Sequence, residues 1–355
     1  MIIFLSVFIL FIIFLAAGFI KYLYKGSSVS ESVDISIITA AKNEAAVIER
    51  FVSSVKNLDY PKEKFELILV DDNSSDNTYE IACRSMENQE NLRSINAGIK
   101  TIGAKRGALF KGIQLSRFPY IVVTDADCVP SVEWLKICAG EFEKGNDFIF
   151  GPAPFFKEEG LVNKISIMEN IKNQFMSFSL ASLGMPYSAS ARNMGFSKKT
   201  FFQIGGYENT LDSLSGDDDL LLREALKNKI KVSAFYNKNA MVYSSTKKSL
   251  KDYIKQKTRH TKSSLYYSIK NKIVLSGWHL LNLFMLLSLL LIFVNINFVW
   301  LFIVKIIADI LIITVTQQYF TYKFNLAQIF YLDILYELFI IINFFNSIFR
   351  KIEWK

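Results

Sequence analysis

The chain has 355 residues, of which 51% are hydrophobic and 21% charged, with a formal net charge of +8. Its mean hydropathy is +0.24. This composition excludes a disordered chain and a small disulfide scaffold, and its apolar excess argues against a fully soluble protein.

The excess is concentrated. Met1 to Ile20 carries no charge, and about 20 apolar residues suffice for a helix to cross a bilayer. Positive charge follows this run at Lys21 and Lys25 rather than preceding it. That order favours a retained anchor over residues 1–24 rather than a cleaved signal peptide, with the next domain on the cytoplasmic side. Three cysteines (Cys83, Cys128 and Cys138), without CxxC spacing, fit reduced thiols better than a disulfide frame or a zinc site. No nucleic-acid-binding motif occurs, so the basic balance points to an anionic bilayer surface.

Residues 30–272 have ordinary globular composition and read as one domain. Ile35 to Ala40 is a strand, followed by helical spacing over Glu44 to Asn57. Leu67 to Val70 is a buried strand that ends in Asp71 and Asp72, and Asp76 can cap the helix after it. Lys105 opens a helix through Ile113. Tyr120 to Thr124 is a further strand, delivering Asp125 and Asp127 at its end, and a helix follows from Ser131 to about Glu143. Alternating strands and helices imply an α/β domain with a mainly parallel sheet. Ligands of such sheets bind beyond the carboxyl ends of the strands, where Asp71, Asp72 and Asp125 fall. Val162 to Leu183 reads as a helix, Phe201 to Tyr207 as a turn at Gly205-Gly206, and Gly216 to Lys229 as a helix opening on three aspartates. Leu250 to Ile269 reads as a basic, partly amphipathic helix.

Three clusters carry possible chemistry. Asp125-x-Asp127 is either a solvated turn or a site for a hard divalent cation such as Mg²⁺ or Mn²⁺. Asp217, Asp218 and Asp219 cap a helix through its macrodipole; three in a row also crowd like charge, which can raise one carboxylate toward the range of a general base. Lys255 to His260 is either a basic segment touching lipid or a ligand contact.

In order along about Asp34 to Lys262, these segments resemble the membrane-bound family 2 glycosyltransferases with a Q-x-x-R-W signature. That group includes cellulose, chitin and poly-N-acetylglucosamine synthases and ceramide glucosyltransferase. SIITAAKNEAAVIERFVSSV resembles the opening strand and helix, with Glu44 on the nucleotide side. LILVDDNSSDNT is similar to V-D-D-x-S-x-D-x-T, which implies that Asp72 contacts the nucleotide base. KRGALFKGI resembles K-x-G-A-L-N-x-G, which puts Lys105 near the nucleotide. TDADC resembles the metal-binding D-x-D, implying metal on Asp127 with Asp125 in support. ASARNMGFSKKTFFQIGGY resembles the acceptor-side segment, with Asn193. GDDDLLL stands where the catalytic base lies, with Asp218 first and Asp217 second, and QKTRH stands at Q-x-x-R-W. Gln256 and Arg259 would then meet the diphosphate, and His260 the acceptor side. Phe110 replaces the usual asparagine, and His260 the usual tryptophan.

The resemblance implies a GT-A fold and inverting transfer from a nucleotide sugar, a UDP-sugar being favoured, to a membrane-associated lipid or glycan acceptor. A bacterial-type inner or plasma membrane is implied, with the catalytic domain cytoplasmic. The alternatives are a catalytically degenerate subunit of a polysaccharide assembly complex and, behind it, an export component. Residues 273–349 form a membrane region. Ser276 to Val294 and Phe298 to Thr316 can each span, while Gln328 to Phe349 either spans or lies at the interface, before a basic tail at 350–355. Lys305 and Asp309 are either a charge pair on one helix face, the favoured reading, or a substrate path.

Overall fold

The computed structural model describes residues 1–211, 213 and 216–349; the 350–355 basic tail lies outside the described residues. Helix α1 is Ile2–Tyr24, followed by β1 (Ile35–Ala41), α2 (Ile48–Lys56), β2 (Phe65–Asp71), α3 (Thr78–Ser85), β3 (Leu92–Asn96) and α4 (Ala104–Leu115). Then come β4 (Tyr120–Val123), β5 (Cys128–Pro130), α5 (Trp134–Glu143), β6 (Phe148–Phe150) and α6 (Leu161–Ser182). Next are β7 (Met194–Ser197), α7 (Lys198–Gln203), α8 (Asp217–Lys227), β8 (Val232–Ala234) and β9 (Val242–Ser244). Helices α9 (Leu250–Ser263), α10 (Ile269–Leu287), α11 (Val299–Tyr319) and α12 (Leu326–Phe349) complete the described chain.

Contacts divide the chain into two compact units. The first comprises Lys25–Phe156 and Ser188–Ser245 and contains all nine strands of the described residues. Seven of them form one sheet in the order β3-β2-β1-β4-β7-β6-β8. Every neighbouring pair is parallel except those made by β7. Strand β1 pairs with β2 on one side and β4 on the other, so the chain reverses its direction of winding there. That reversal opens a crevice beyond the strand ends. Strands β1 and β2 are buried almost throughout, which explains their continuous apolar runs. The core includes Ile37, Phe51, Leu67, Trp134 and Phe142.

The sequence reading differs from this unit in several ways, beginning with β3, which it does not contain. The helix expected from Glu44 begins at Ile48, because Val47 and Ile48 both donate to the Glu44 carbonyl (2.9 and 3.0 Å) and close a turn first. Strands β5 to β9 have three or four residues each, too few to show a period. Gly195 of β7 is required by packing: a Cβ there would lie 2.9 Å from the Ile121 carbonyl oxygen.

The second unit is helical, comprising Met1–Tyr24, Lys157–Tyr187 and residues 246–349. Residues 157–187 and 246–272, read from sequence as part of the 30–272 domain, pack here instead. Helix α6 lies along α1: Tyr22 stacks on Phe178 (4.3 Å between centroids), and a Cβ on Gly18 would fall 2.5 Å from the Ser179 carbonyl oxygen. Helix α12 packs on α9, α6 and α11. The expected helix 250–269 breaks after α9 in a 3₁₀ turn, Ser264–Tyr266, and α10 restarts under a Ser268 cap that accepts from the Asn271 N–H at 3.2 Å. Among the described residues, four helical segments are long and apolar enough to cross a membrane: Ile2–Tyr24, Ile269–Leu291, Ile296–Tyr319 and Leu326–Phe349.

Lys305 and Asp309 are paired at 2.5 Å, as their spacing suggests, but they belong to a larger group. Lys305 also meets Asp333 (3.1 Å) and Glu337 (3.6 Å) on α12. Lys172 of α6 reaches Asp309 (3.8 Å), Asp333 and Glu337 (3.2 Å), with its ammonium over the Tyr336 ring. Two ammoniums and three carboxylates, all buried or nearly so, thus tie three helices together.

Candidate active site

The site is built at the carboxyl ends of β1, β2 and β4. After β1 and β2 the chain turns at Asn43 (φ +57°) and Asn73 (φ +56°), left-handed positions that asparagine tolerates. The two turns are laced together: Asn43 donates its N–H to Ser74 Oγ (3.0 Å) and accepts from the Ser75 N–H (2.8 Å). Glu44, half-buried, donates its N–H to Thr78 Oγ1 (2.8 Å). Asp76 accepts from the Thr78 hydroxyl and from its N–H (3.1 Å), which keeps the carboxyl below its ordinary range; the N-cap of α3 is Asn77, one residue beyond the cap expected from sequence.

Asp72 stands just past β2 and is 4% exposed. Its Oδ1 accepts from the Lys100 ammonium. The D-x-D segment leaves β4 in a turn in which the Cys128 N–H donates to the Asp125 carbonyl (3.1 Å). Asp125 and Asp127 are half-buried, and their carboxylates lie within 4.8 Å of each other and of the Cys128 sulfur. A hard cation matches the two carboxylates and not the thiol, which burial and then the neighbouring Asp125 and Asp127 push well up.

Lys105 joins two of the clusters singled out in the sequence. Its ammonium pairs with Asp125 and lies 3.6 Å from Asp217 at the start of α8. Burial pulls the Lys105 ammonium down, but Asp125 and Asp217 outweigh it and hold it charged. Gly216 precedes α8 with φ +81°, a left-handed position suited to glycine, and so turns the three aspartates into the site.

The aspartates differ in surroundings. Asp219 is buried and accepts from the Ala189 N–H at 3.2 Å. Asp218 accepts from the Ala191 N–H (2.9 Å) and the Asp219 N–H (2.9 Å). Burial, then Asp219 and Asp217, pushes the Asp218 carboxyl up to about 8. Tyr207, at the end of the Gly205-Gly206 turn, is fully buried, and burial together with Asp217 raises its phenol.

Asn193 is 1% exposed. It accepts from the Trp134 indole (2.9 Å) and donates to the carbonyls of Pro152 (2.8 Å) and Ala240 (2.9 Å). A side chain so enclosed acts through the loop it holds and does not itself present to an acceptor. Phe110 packs against Phe201 and Phe202 (centroids 6.2 and 6.4 Å), so its departure from the family asparagine serves an aromatic cluster. Lys100, absent from the sequence reading, belongs to no motif; only the fold brings it to Asp72.

Gln256, Arg259 and His260 lie on α9 of the helical unit, at spacings that share one helix face, with His260 exposed. An adjacent face of α9 is tied to α6: the Tyr253 hydroxyl donates to Glu169 (2.7 Å), and Lys257 pairs with the same carboxylate (2.9 Å).

Comparison with known proteins identifies the family. The family model described as glycosyl transferase family 2 matches residues 36–200, and that of glycosyl transferase family group 2 matches residues 120–341. The second match covers more than half of the chain, which therefore belongs to glycosyl transferase family group 2. Among curated relatives, the beta-monoglucosyldiacylglycerol synthase of Trichormus variabilis is 31% identical over 143 residues, covering 40% of this chain and 28% of that protein. The poly-beta-1,6-N-acetyl-D-glucosamine synthase of Staphylococcus epidermidis is 34% identical over 95 residues, covering 27% and 22%. The chain thus spans about a quarter of the length of these relatives. Among solved structures, the mannosyltransferase PcManGT from Pyrobaculum calidifontis, in complex with GDP-Man and Mn²⁺, has a TM-score of 0.62 at 14% identity, covering 98% of this chain and 97% of that one. That likeness shows the GT-A fold. The four apolar helices fit a membrane-bound member of the family.

Proposed function

We propose that the protein transfers a sugar, with inversion, from a nucleoside diphosphate sugar to a lipid or glycan acceptor at a membrane surface. A UDP-sugar is the favoured donor. The observation that carries this reading is Lys105, charged and bridging Asp125 and Asp217. A donor's diphosphate and the group that deprotonates the acceptor must meet at one anomeric carbon, and Lys105 stands where those two requirements converge.

In this reading the acceptor oxygen forms a bond to the anomeric carbon as the bond to the phosphate oxygen breaks. Asp218 takes the acceptor's proton, and its raised carboxyl suits a base working near neutral pH. Lys105 turns from Asp125 to the leaving diphosphate and neutralises charge as it develops there. Asp72 accepts from the nucleotide base, with Glu44 on the same side. The resemblance assigns Gln256 and Arg259 to the diphosphate and His260 to the acceptor side. Asp127 and Asp125 would hold Mg²⁺ or Mn²⁺, whose chemistry is charge neutralisation at the phosphates. The basic residues beside the apolar helices favour a cytoplasmic catalytic domain, on the side where nucleotide sugars are made.

The test is turnover of a panel of UDP- and GDP-sugars by detergent-solubilised protein with Mg²⁺ or Mn²⁺. Release of nucleoside diphosphate from one donor, lost in Asp127→Ala, is expected. Absence of turnover with every donor would overturn the proposal.

A further inference from the structure

The motif lysine, Lys105, is occupied with Asp125 and Asp217, while a second lysine five residues earlier stands on the aspartate assigned to the base. We infer that Lys100 is a donor-recognition residue, which with Asp72 forms a paired hydrogen-bonding edge for the nucleobase. The inference rests on the reading of the protein as a nucleotide-sugar transferase.

Lys100 is placed by its surroundings. The segment between β3 and α4 turns at Gly98 (φ +61°) and Ala104 (φ +58°). Asn73 donates to the Gly98 carbonyl (3.2 Å), and Lys111 donates to the carbonyls of Asn96 (2.8 Å) and Ala97 (2.9 Å), which ties the start of the segment to the sheet. Gly107 makes room for its end. A Cβ at 107 would fall 2.0 Å from the Ile102 carbonyl oxygen and 2.9 Å from the Lys100 stem. Lys100 then donates to the Ala104 carbonyl (2.9 Å) and to Asp72 Oδ1.

The remaining valences point to a ligand. An ammonium has three N–H groups, and two are engaged. Among the described residues no hydrogen bond reaches Asp72 Oδ2. One open donor and one open acceptor therefore stand side by side past the carboxyl end of β2, on side chains only 16% and 6% exposed. An N–H beside a C=O, as on the edge of uracil or guanine, satisfies both at once. A phosphate contact would call for the lysine near the D-x-D turn, where Lys105 already is.

The two lysines should therefore divide the donor between them. Binding is measured by calorimetry on full-length protein in detergent with Mn²⁺, using three probes. These are UDP or GDP, whichever the wild type binds, the matching nucleoside (uridine or guanosine), and pyrophosphate. Lys100→Met should weaken the nucleotide and the nucleoside by a similar factor of about tenfold, the scale of a charged hydrogen bond, and leave pyrophosphate unchanged. Lys100→Arg should recover most of the loss. Lys105→Met should show the opposite pattern, weakening the nucleotide and pyrophosphate but not the nucleoside. A variant that merely folds less well lowers the binding stoichiometry for all probes equally and leaves their dissociation constants alone; that result overturns the assignment. So does unchanged nucleoside affinity in Lys100→Met. If the wild type binds no nucleotide, the transferase reading itself falls and the inference with it. If it binds one and Lys100→Met behaves as the wild type, only the role of Lys100 is lost.

Discussion

Asp218→Asn should abolish transfer and at the same time stabilise the protein at alkaline pH, and both effects come from one carboxyl. Burial and the flanking Asp219 and Asp217 raise Asp218 from 3.8 to about 8. As a base it must be ionised, which holds for about a tenth of molecules at pH 7 and about nine-tenths at pH 9. The wild-type kcat should therefore rise about tenfold across that range. Asp218→Asn should lower kcat by roughly 10²- to 10⁴-fold and remove the dependence, while Asp217→Asn keeps the rising limb. The sign for stability is opposite. Below the unfolded value the carboxyl is protonated in both states and costs nothing. Between that value and about 8 the folded chain holds a proton that the unfolded chain releases, so stability falls as pH rises. Four units at ~1.36 kcal/mol each set a ceiling of about 5 kcal/mol. Because Asp218 is only half-buried, a few kcal/mol is the expected cost. Thermal melts should then show Asp218→Asn above the wild type at pH 9, with the gap closing as pH falls and gone at about pH 3, below the unfolded carboxyl's value. A flat rate profile from pH 6 to 9, or a variant that transfers sugar at the wild-type rate, would refute the assignment.

Two further predictions concern the scaffold. Gly107→Ala should lower stability by about 2 kcal/mol or more, because its Cβ meets backbone at 2.0 Å and not a yielding side chain; a melting temperature equal to the wild type would contradict this. Asp333→Asn removes a carboxylate shared by Lys172 and Lys305 inside the helical unit. It should cost about 3–5 kcal/mol in detergent, seen as a lowered melting temperature, since Lys172 loses its nearest carboxylate and Lys305 its second nearest.

Much of the candidate site was legible because the motifs sit at strand ends and helix starts. Asp72, Lys105, Asp125 and Asp218 all lie in short segments whose strands and helices announce themselves by apolar runs and turn residues. What was not legible depends on contact across long stretches of chain. Lys100 belongs to no pattern, and its meeting with Asp72 follows from parallel pairing of β2 with β3 and from the space above Gly107. Asn193 reads as a polar residue in an acceptor-side segment, yet three hydrogen bonds enclose it.

The membrane-facing part shows the same division. Composition by itself determined that apolar residues gather at the front and back of the chain, since a bilayer-spanning helix needs an unbroken run whatever its neighbours are. Sequence also determined the α/β class, because a strand buried on both faces and an amphipathic helix each have their own period. Only the tertiary structure decided that residues 157–187 belong with the apolar helices, and that Lys305 and Asp309 are part of a five-membered group including Lys172. It likewise decided that Lys105 faces both Asp125 and Asp217. The reason is physical: a period records which face of an element is buried, whereas a charge pair records which elements meet.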